Sequence, residues 1–189
     1  MDPLAQIFGT PSRLKTLRLF IFNHDKSFTT DEVSKRLKLT KESARYELKE
    51  LSECGLLKKK GERASVRYQI NSKFEYLGAL DEFIRDTTNV SPKIITTILR
   101  KVGTLQLVVL SGFFTDVIES QIDLLIVGDH LDNKAIARAV HSLEADLGRE
   151  IRYASFTTED FRYRFGVYDR LLRDIFDYPH HRLVNKIGI

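Results

Sequence analysis

The sequence predicts an α+β protein built from two unlike halves, and three observations carry that reading. Apolar residues recur at helical spacing through roughly the first third of the chain. The pattern then switches to period-two alternation within a strongly basic stretch. Further on, short apolar runs alternate with an amphipathic helix, the signature of a small α/β domain followed by C-terminal helices. The predicted layout is a helical domain closed by a basic hairpin over 1–72, a helical connector over 73–102 and the α/β domain over 103–189.

Leu14, Leu17 and Ile21 follow Ser12, which the spacing marks as a helix N-cap. In TTDEVSKRLKL, Thr29 and Glu32 stand at capping-box spacing, with Val33 and Leu37 as the inward stripe. A third helix begins near Thr40, buries Ala44, Leu48 and Leu51, and stops at Gly55. Only Lys38, Leu39 and Thr40 join the second helix to the third, a turn short enough for a helix-turn-helix. After Gly55, Val66, Tyr68 and Ile70 alternate and Gly61 marks a turn, so LLKKKGERASVRYQI reads as a β-hairpin.

The helix ending LSECGLL and the hairpin KKKGERASVRYQI give this stretch, about residues 10–72, the look of a winged helix. It resembles the winged helix-turn-helix transcriptional regulators of bacteria and archaea. The residues themselves point the same way. Lys41, Glu42, Ser43, Arg45, Tyr46 and Lys49 lie off the apolar stripe of the third helix, where a major groove would meet them. Arg45 is the best guanine reader because its fork bonds two acceptors at once. Ser43 and Tyr46 suit base or phosphate. Lys58, Lys59, Lys60, Arg63 and Arg67 crowd the hairpin and suit phosphates or a minor groove. The expected partner is double-stranded DNA, bound by a homodimer on paired half-sites. A solvated face on a protein-docking winged helix is the plainer alternative.

Charge supports two jobs. Residues 1–75 hold 16 Lys/Arg against 10 Asp/Glu, and the remainder 14 against 16, within a formal net charge of +4. In the connector, Phe74, Leu77, Leu80 and Ile84 share a helical face. Ser91, Pro92 and Gly103 punctuate a second helix as N-cap, first residue and terminator. These helices either pack on the second domain or join two subunits.

TLQLVVLSG, IDLLIVGD and EIRYASFT read as strands, and NKAIARAVHSLEADLG as a helix. The tail reads as helical, with Phe161, Phe165, Leu171, Leu172 and Ile175 as anchors. Gly128-Asp129 ends a strand in a turn. From Ser111-Gly112 and IDLLIVGD, about residues 103–160 look like the minimal nucleotidyltransferase fold of the DNA-polymerase-β kind. The tail FRYRFGVYDRLLRDIFDYPHHRL is similar to regulators that fuse a winged helix to it. The resemblance implies a strand ending in Gly-Ser, then Asp-x-Asp for two magnesium ions.

The departures argue against catalysis. With Asp123 as second carboxylate the first is Gln121; with Asp123 as first, the second is Leu125. Phe113 replaces the serine, Phe114 follows, and the third strand has no acid in its body. Asp116 and Glu119 in the loop are spare oxygen donors without the family spacing. The sequence therefore predicts no catalytic residue, metal or cofactor. It predicts a domain for assembly or for sensing a small-molecule or nucleotide ligand, with Ser111, Gly112 and Asp123 as the candidate cleft. An active nucleotidyltransferase that docks its substrate through the winged helix is the alternative, and an antitoxin-like interaction module a third.

Cys54, the single cysteine, sits beside apolar helix positions and reads as packing. His180-His181 reads as an exposed loop pair without ligand spacing, and His24, His130 and His141 form no triad. No run approaches the ~18 apolar residues of a membrane span, and MDPLAQIFG lacks the features of a signal peptide. A cytoplasmic protein is expected.

Overall fold

The computed structural model describes residues 3–61, 66–88, 91–115, 117 and 120–189. Arg63, Asp116 and Glu119, singled out above, lie outside them. Among the described residues the chain is α+β, with helices and two small sheets, and it divides into two compact units. One comprises Met1–Asn89 and His141–Arg149, the other Val90–Val140 and Glu150–Ile189. No helix among the described residues is long and apolar enough to cross a membrane.

The first unit holds α1 (Pro3–Ile7), α2 (Pro11–Ile21), α3 (Thr30–Leu37), α4 (Lys41–Glu53), β1 (Leu57–Lys60), β2 (Arg67–Ile70) and α5 (Leu77–Thr87). α2 starts two residues earlier than Ser12 implies. Thr10 is its N-cap, accepting from the Arg13 amide at 3.0 Å, and Pro11 supplies the fixed φ of the first turn. The Thr29/Glu32 capping box opens α3 as expected. α3 ends on Lys38 at φ 53°, a left-handed residue that reverses the chain within the three-residue turn. Thr40 then caps α4 through the Ser43 amide, and Gly55 at φ +82° follows its end.

These turns bring Leu14, Leu17, Phe20 and Ile21 of α2, Val33 and Leu37 of α3, and Ala44, Leu48 and Leu51 of α4 into one core. Each large apolar side chain there contributes on the order of 2 kcal/mol by burial. β1 and β2 pair antiparallel, Leu57 opposite Ile70 and Lys60 opposite Arg67, so Leu57 and Ile70 close the core at the base of the hairpin. Phe28 extends the pairing through backbone bonds to Tyr68. Ile84 of α5 is fully buried in this core, with Phe74, Leu77 and Leu80 packed against it. That is the burial within the chain that the connector's periodicity allows, but against the first unit and not the second domain that the sequence suggests. Cys54 is another correction: it is exposed at the C-cap of α4, because the helix ends one residue before it and its side chain falls off the buried stripe.

The second unit opens with α6 (Pro92–Leu99), where Ser91 occupies the N-cap position without making a side-chain cap bond. β3 (Thr104–Leu110), β4 (Leu124–Asp129), α7 (Asn133–Leu147), β5 (Tyr153–Phe156), α8 (Thr158–Gly166), α9 (Arg170–Asp177) and β6 (His181–Asn185) follow, α7 belonging to this unit only as far as Val140 and to the first from His141 on. The sheet order is β5-β4-β3-β6; β3 runs antiparallel to β4 and β6, and β4 runs parallel to β5. α7 lies in the long β4–β5 connection that parallel strands require. Alternate residues Leu107, Val109, Leu125 and Val127 face Phe161 of α8 and Leu172 and Ile175 of α9.

β6 corrects the expectation of an all-helical tail. His181 is the first residue of this edge strand, paired opposite Leu110, and is not part of a loop. HRLVN is short and mostly exposed, so its strand character comes from the open edge of β3.

Candidate functional site

Two places in the molecule hold the residues singled out by the sequence. The first is α4 with the hairpin. One side of α4 is buried, and it carries a charge the sequence pattern did not reveal: Glu47 is 2% exposed. Its carboxylate accepts from the Thr10 hydroxyl at 3.0 Å and pairs with the Arg13 guanidinium, tying α4 to the start of α2. The opposite side exposes Lys41, Glu42, Arg45, Tyr46 and Lys49.

Those exposed groups are lightly committed. Lys41 lies 3.0 Å from Asp31 and Lys49 3.7 Å from Glu53, all four well exposed. Such surface pairs are worth about 0–1 kcal/mol and exchange readily for another anion. The Lys41 hydrogen bond holds the Asp31 carboxyl below its ordinary range. Arg45 makes no hydrogen bond or ion pair with a described residue. Lys58, Lys59 and Lys60 are all exposed along β1.

Two residues grouped with them by sequence are used differently. Ser43 is half-buried, and its hydroxyl bonds that of Ser12 at 3.2 Å, which turns it away from the exposed side. Arg67 reaches back to the body of the unit: it bonds the Ser27 hydroxyl at 3.0 Å and the Ser27 carbonyl at 2.5 Å, and pairs with Glu32 at 3.0 Å. It therefore fastens the hairpin to the capping box of α3, and the same carboxylate that caps the helix holds the arginine.

The second place is the end of β3 facing the start of β4. Asp123 is completely buried. Its Oδ1 accepts from the Phe113 amide at 2.9 Å and from Arg152 Nη2 at 2.7 Å. Its Oδ2 accepts from the Arg152 amide at 2.9 Å and from Arg152 Nε at 3.0 Å. A carboxylate has about four lone-pair sites, and four donors occupy them. Burial pushes the Asp123 carboxyl up, but the Arg152 fork and the two amides outweigh it and hold it below the usual range.

Ser111 and Gly112 are brought to the same spot. Gly112 has φ +52°, and a Cβ there would stand 2.4 Å from Asp123 Oδ1, so only glycine lets the backbone close over the carboxylate. The Ser111 hydroxyl is buried 3.2 Å from that of Ser120, which also donates to the Ile122 carbonyl. The three cleft candidates thus meet in a closed hydrogen-bonded nest. Phe113 and Phe114 stack edge to face, with ring centroids 5.3 Å apart. Of the two positions where a partner carboxylate for Asp123 would stand, Leu125 is a core residue and Gln121 donates its backbone N–H to Asp174.

Arg152 is the residue that sequence reasoning missed. The signal was present in the register: Leu124 pairs with Tyr153 between parallel strands, which sets Asp123 beside Arg152 at the mouth of both. A lone acid and a lone arginine immediately before two neighbouring strands are placed to pair.

Comparison of the chain with protein-family models, with curated proteins and with solved structures finds no match.

Proposed function

We propose that this protein is a DNA-binding transcriptional regulator. In this reading the first unit works as a winged helix-turn-helix whose α4 enters the major groove. The second is a nucleotidyltransferase-like module that has given up catalysis for assembly or ligand sensing. The observation that carries the reading is the division of α4 into a core side and a side where Lys41, Arg45 and Lys49 stay in water, continued by Lys58, Lys59 and Lys60. α4 has 13 residues. At 1.5 Å per residue it spans about 20 Å, and its diameter of about 10–12 Å with side chains fits a groove about 12 Å wide. Arg45 reads a guanine edge, Tyr46 lies beside it, and the lysines neutralise phosphates. Two-fold related copies on paired half-sites complete the proposal.

The test is a duplex selected from a random pool, footprinted and titrated by fluorescence anisotropy across salt concentrations. Arg45→Ala weakens the selected duplex about tenfold or more and relaxes one base position, as expected for a lost bidentate contact. Replacing Lys58, Lys59 and Lys60 together by Ala lowers the slope of log K against log salt by up to about 2.7, roughly 0.9 for each phosphate contact. Negligible affinity for every duplex at low salt would end the proposal. On the second unit, a working transferase would pass label from a nucleoside triphosphate and magnesium and lose that transfer in Asp123→Asn. With the lone pairs of Asp123 already taken, we expect no transfer from either protein.

A further inference from the structure

At the far end of β3 from Asp123 lies a cleft that none of this reading uses. Thr104 opens β3 and Ser111 follows its end, roughly 20 Å away along an extended strand. The cleft is an open one of about 480 Å³ between the C-terminal end of α6, the beginning of β3 and the end of β6. That size falls within the range of small-molecule sites, roughly 300–1,000 Å³.

Its lining has a definite chemistry. Arg100 and Lys186 contribute positive charge from two different elements, and among the described residues no acidic side chain lines the cleft. Neither side chain makes a hydrogen bond or ion pair with a described residue, whereas Arg13, Arg67, Arg85, Arg152 and Arg164 are all paired within the fold. Thr104 brings an exposed side chain without a hydrogen-bond partner among the described residues. The Thr96 hydroxyl donates to the carbonyls of its own helix and keeps lone pairs with which to accept. Leu105 and Val184 form the apolar part of the wall. The end of α6 carries a fractional negative charge of about half a unit, well short of cancelling two full cations.

We propose that this cleft binds a small phosphorylated polyol, such as a sugar phosphate. A phosphoryl dianion carries enough charge to neutralise two cations approaching from different sides and offers the Arg100 fork two oxygens with a third left for Lys186, whereas a carboxylate, with its single charge, neutralises only one of the two. The two threonines suit the hydroxyls of the ligand body. Among the described residues no aromatic ring lines the cleft, so a nucleobase finds no stacking surface there, and a saturated, hydroxylated body is favoured over a nucleotide. The inference gives a ligand class to the sensing role proposed for the second unit and does not depend on the DNA role of the first.

The experiment is calorimetric titration of the full chain, without DNA, at low ionic strength. The probes are ribose 5-phosphate, fructose 1,6-bisphosphate and AMP. Saturable one-to-one binding of a sugar phosphate is expected, weakened about tenfold by Arg100→Gln and by Lys186→Gln, as for loss of one charge-assisted contact. Lys101→Gln, next to Arg100 but outside the lining, leaves it unchanged. The amide resonances of Thr104 and Leu105 shift along the same binding curve. Absence of binding by all three probes overturns the proposal, as does an equal loss in Lys101→Gln, which would mean diffuse charge. Tighter binding of AMP than of either sugar phosphate overturns the ligand class. Because no duplex is present, failure here and failure of the DNA reading are observed separately.

Discussion

The exposed side of α4 and the nest around Asp123 treat charge in opposite ways. On α4, Arg45 has no ion-pair partner among the described residues, while Lys41 and Lys49 hold exposed, weakly bound ones. Around Asp123, four donors converge on two oxygens with no solvent exposure. A charge that the fold has already neutralised has little left to offer a ligand; one left in water can be neutralised by an incoming partner. On the proposed reading, recognition falls to the first place and architecture to the second, although sequence pattern drew attention to both.

The sharpest way to break that contrast is Asp123→Asn. If the carboxylate is architectural, the substitution destabilises the fold by about 3 kcal/mol. That is the low end for breaking a buried ion pair, since Arg152 is 46% exposed and regains water. Urea unfolding measures it. A carboxylate kept under strain for chemistry gives the opposite sign, because removing it relieves the strain. The pH dependence supplies an independent check. The folded Asp123 carboxyl lies below its ordinary range, so the unfolded chain binds its proton first as pH falls. The stabilisation is therefore complete above the unfolded carboxyl pKa, about 3.9, and disappears as pH drops through the lower folded value. The stability gap between wild type and Asp123→Asn should be widest near neutrality and close below about pH 4. A gap independent of pH would separate Asp123 from this linkage.

Local chemistry made much of the fold legible. Capping residues and turn glycines mark α3 and α4 closely, since a cap bond spans three residues and leaves its trace in the sequence. The strands β3 and β4 were readable because burial on both faces demands continuous apolar runs. What escaped was set by distant partners. Glu47 sits among apolar neighbours because Thr10 and Arg13, more than thirty residues upstream, satisfy it. β6 exists because β3 offers an unpaired edge. Arg67 looked like a phosphate ligand by composition, yet Ser27 and Glu32 claim it. Among the site residues, helical periodicity placed Arg45 and Tyr46 correctly on the exposed side, whereas nothing local distinguished Ser43, whose partner lies 31 residues away.

Arg67 and Arg45 give the smaller test, since both are arginines of the first unit that composition alone would treat alike. Arg67→Ala removes the bonds to Ser27 and Glu32 and should cost about 1 kcal/mol of stability, modest because the pair is partly exposed. It should also loosen the hairpin, seen as faster amide exchange at Tyr68 and Phe28, whose backbones bond each other at 2.8 and 2.9 Å. Any effect of this variant on duplex binding would then follow the loss of hairpin order, and Arg67→Lys would restore only part of it because a lysine cannot reproduce the fork. Arg45→Ala should leave stability within about 0.5 kcal/mol of wild type and the exchange of Tyr68 unchanged, while duplex affinity falls. If instead Arg45→Ala unfolds the unit and Arg67→Ala does not, the exposed arginine is structural, and the division between a charge left for a partner and a charge spent on the fold fails at its simplest pair.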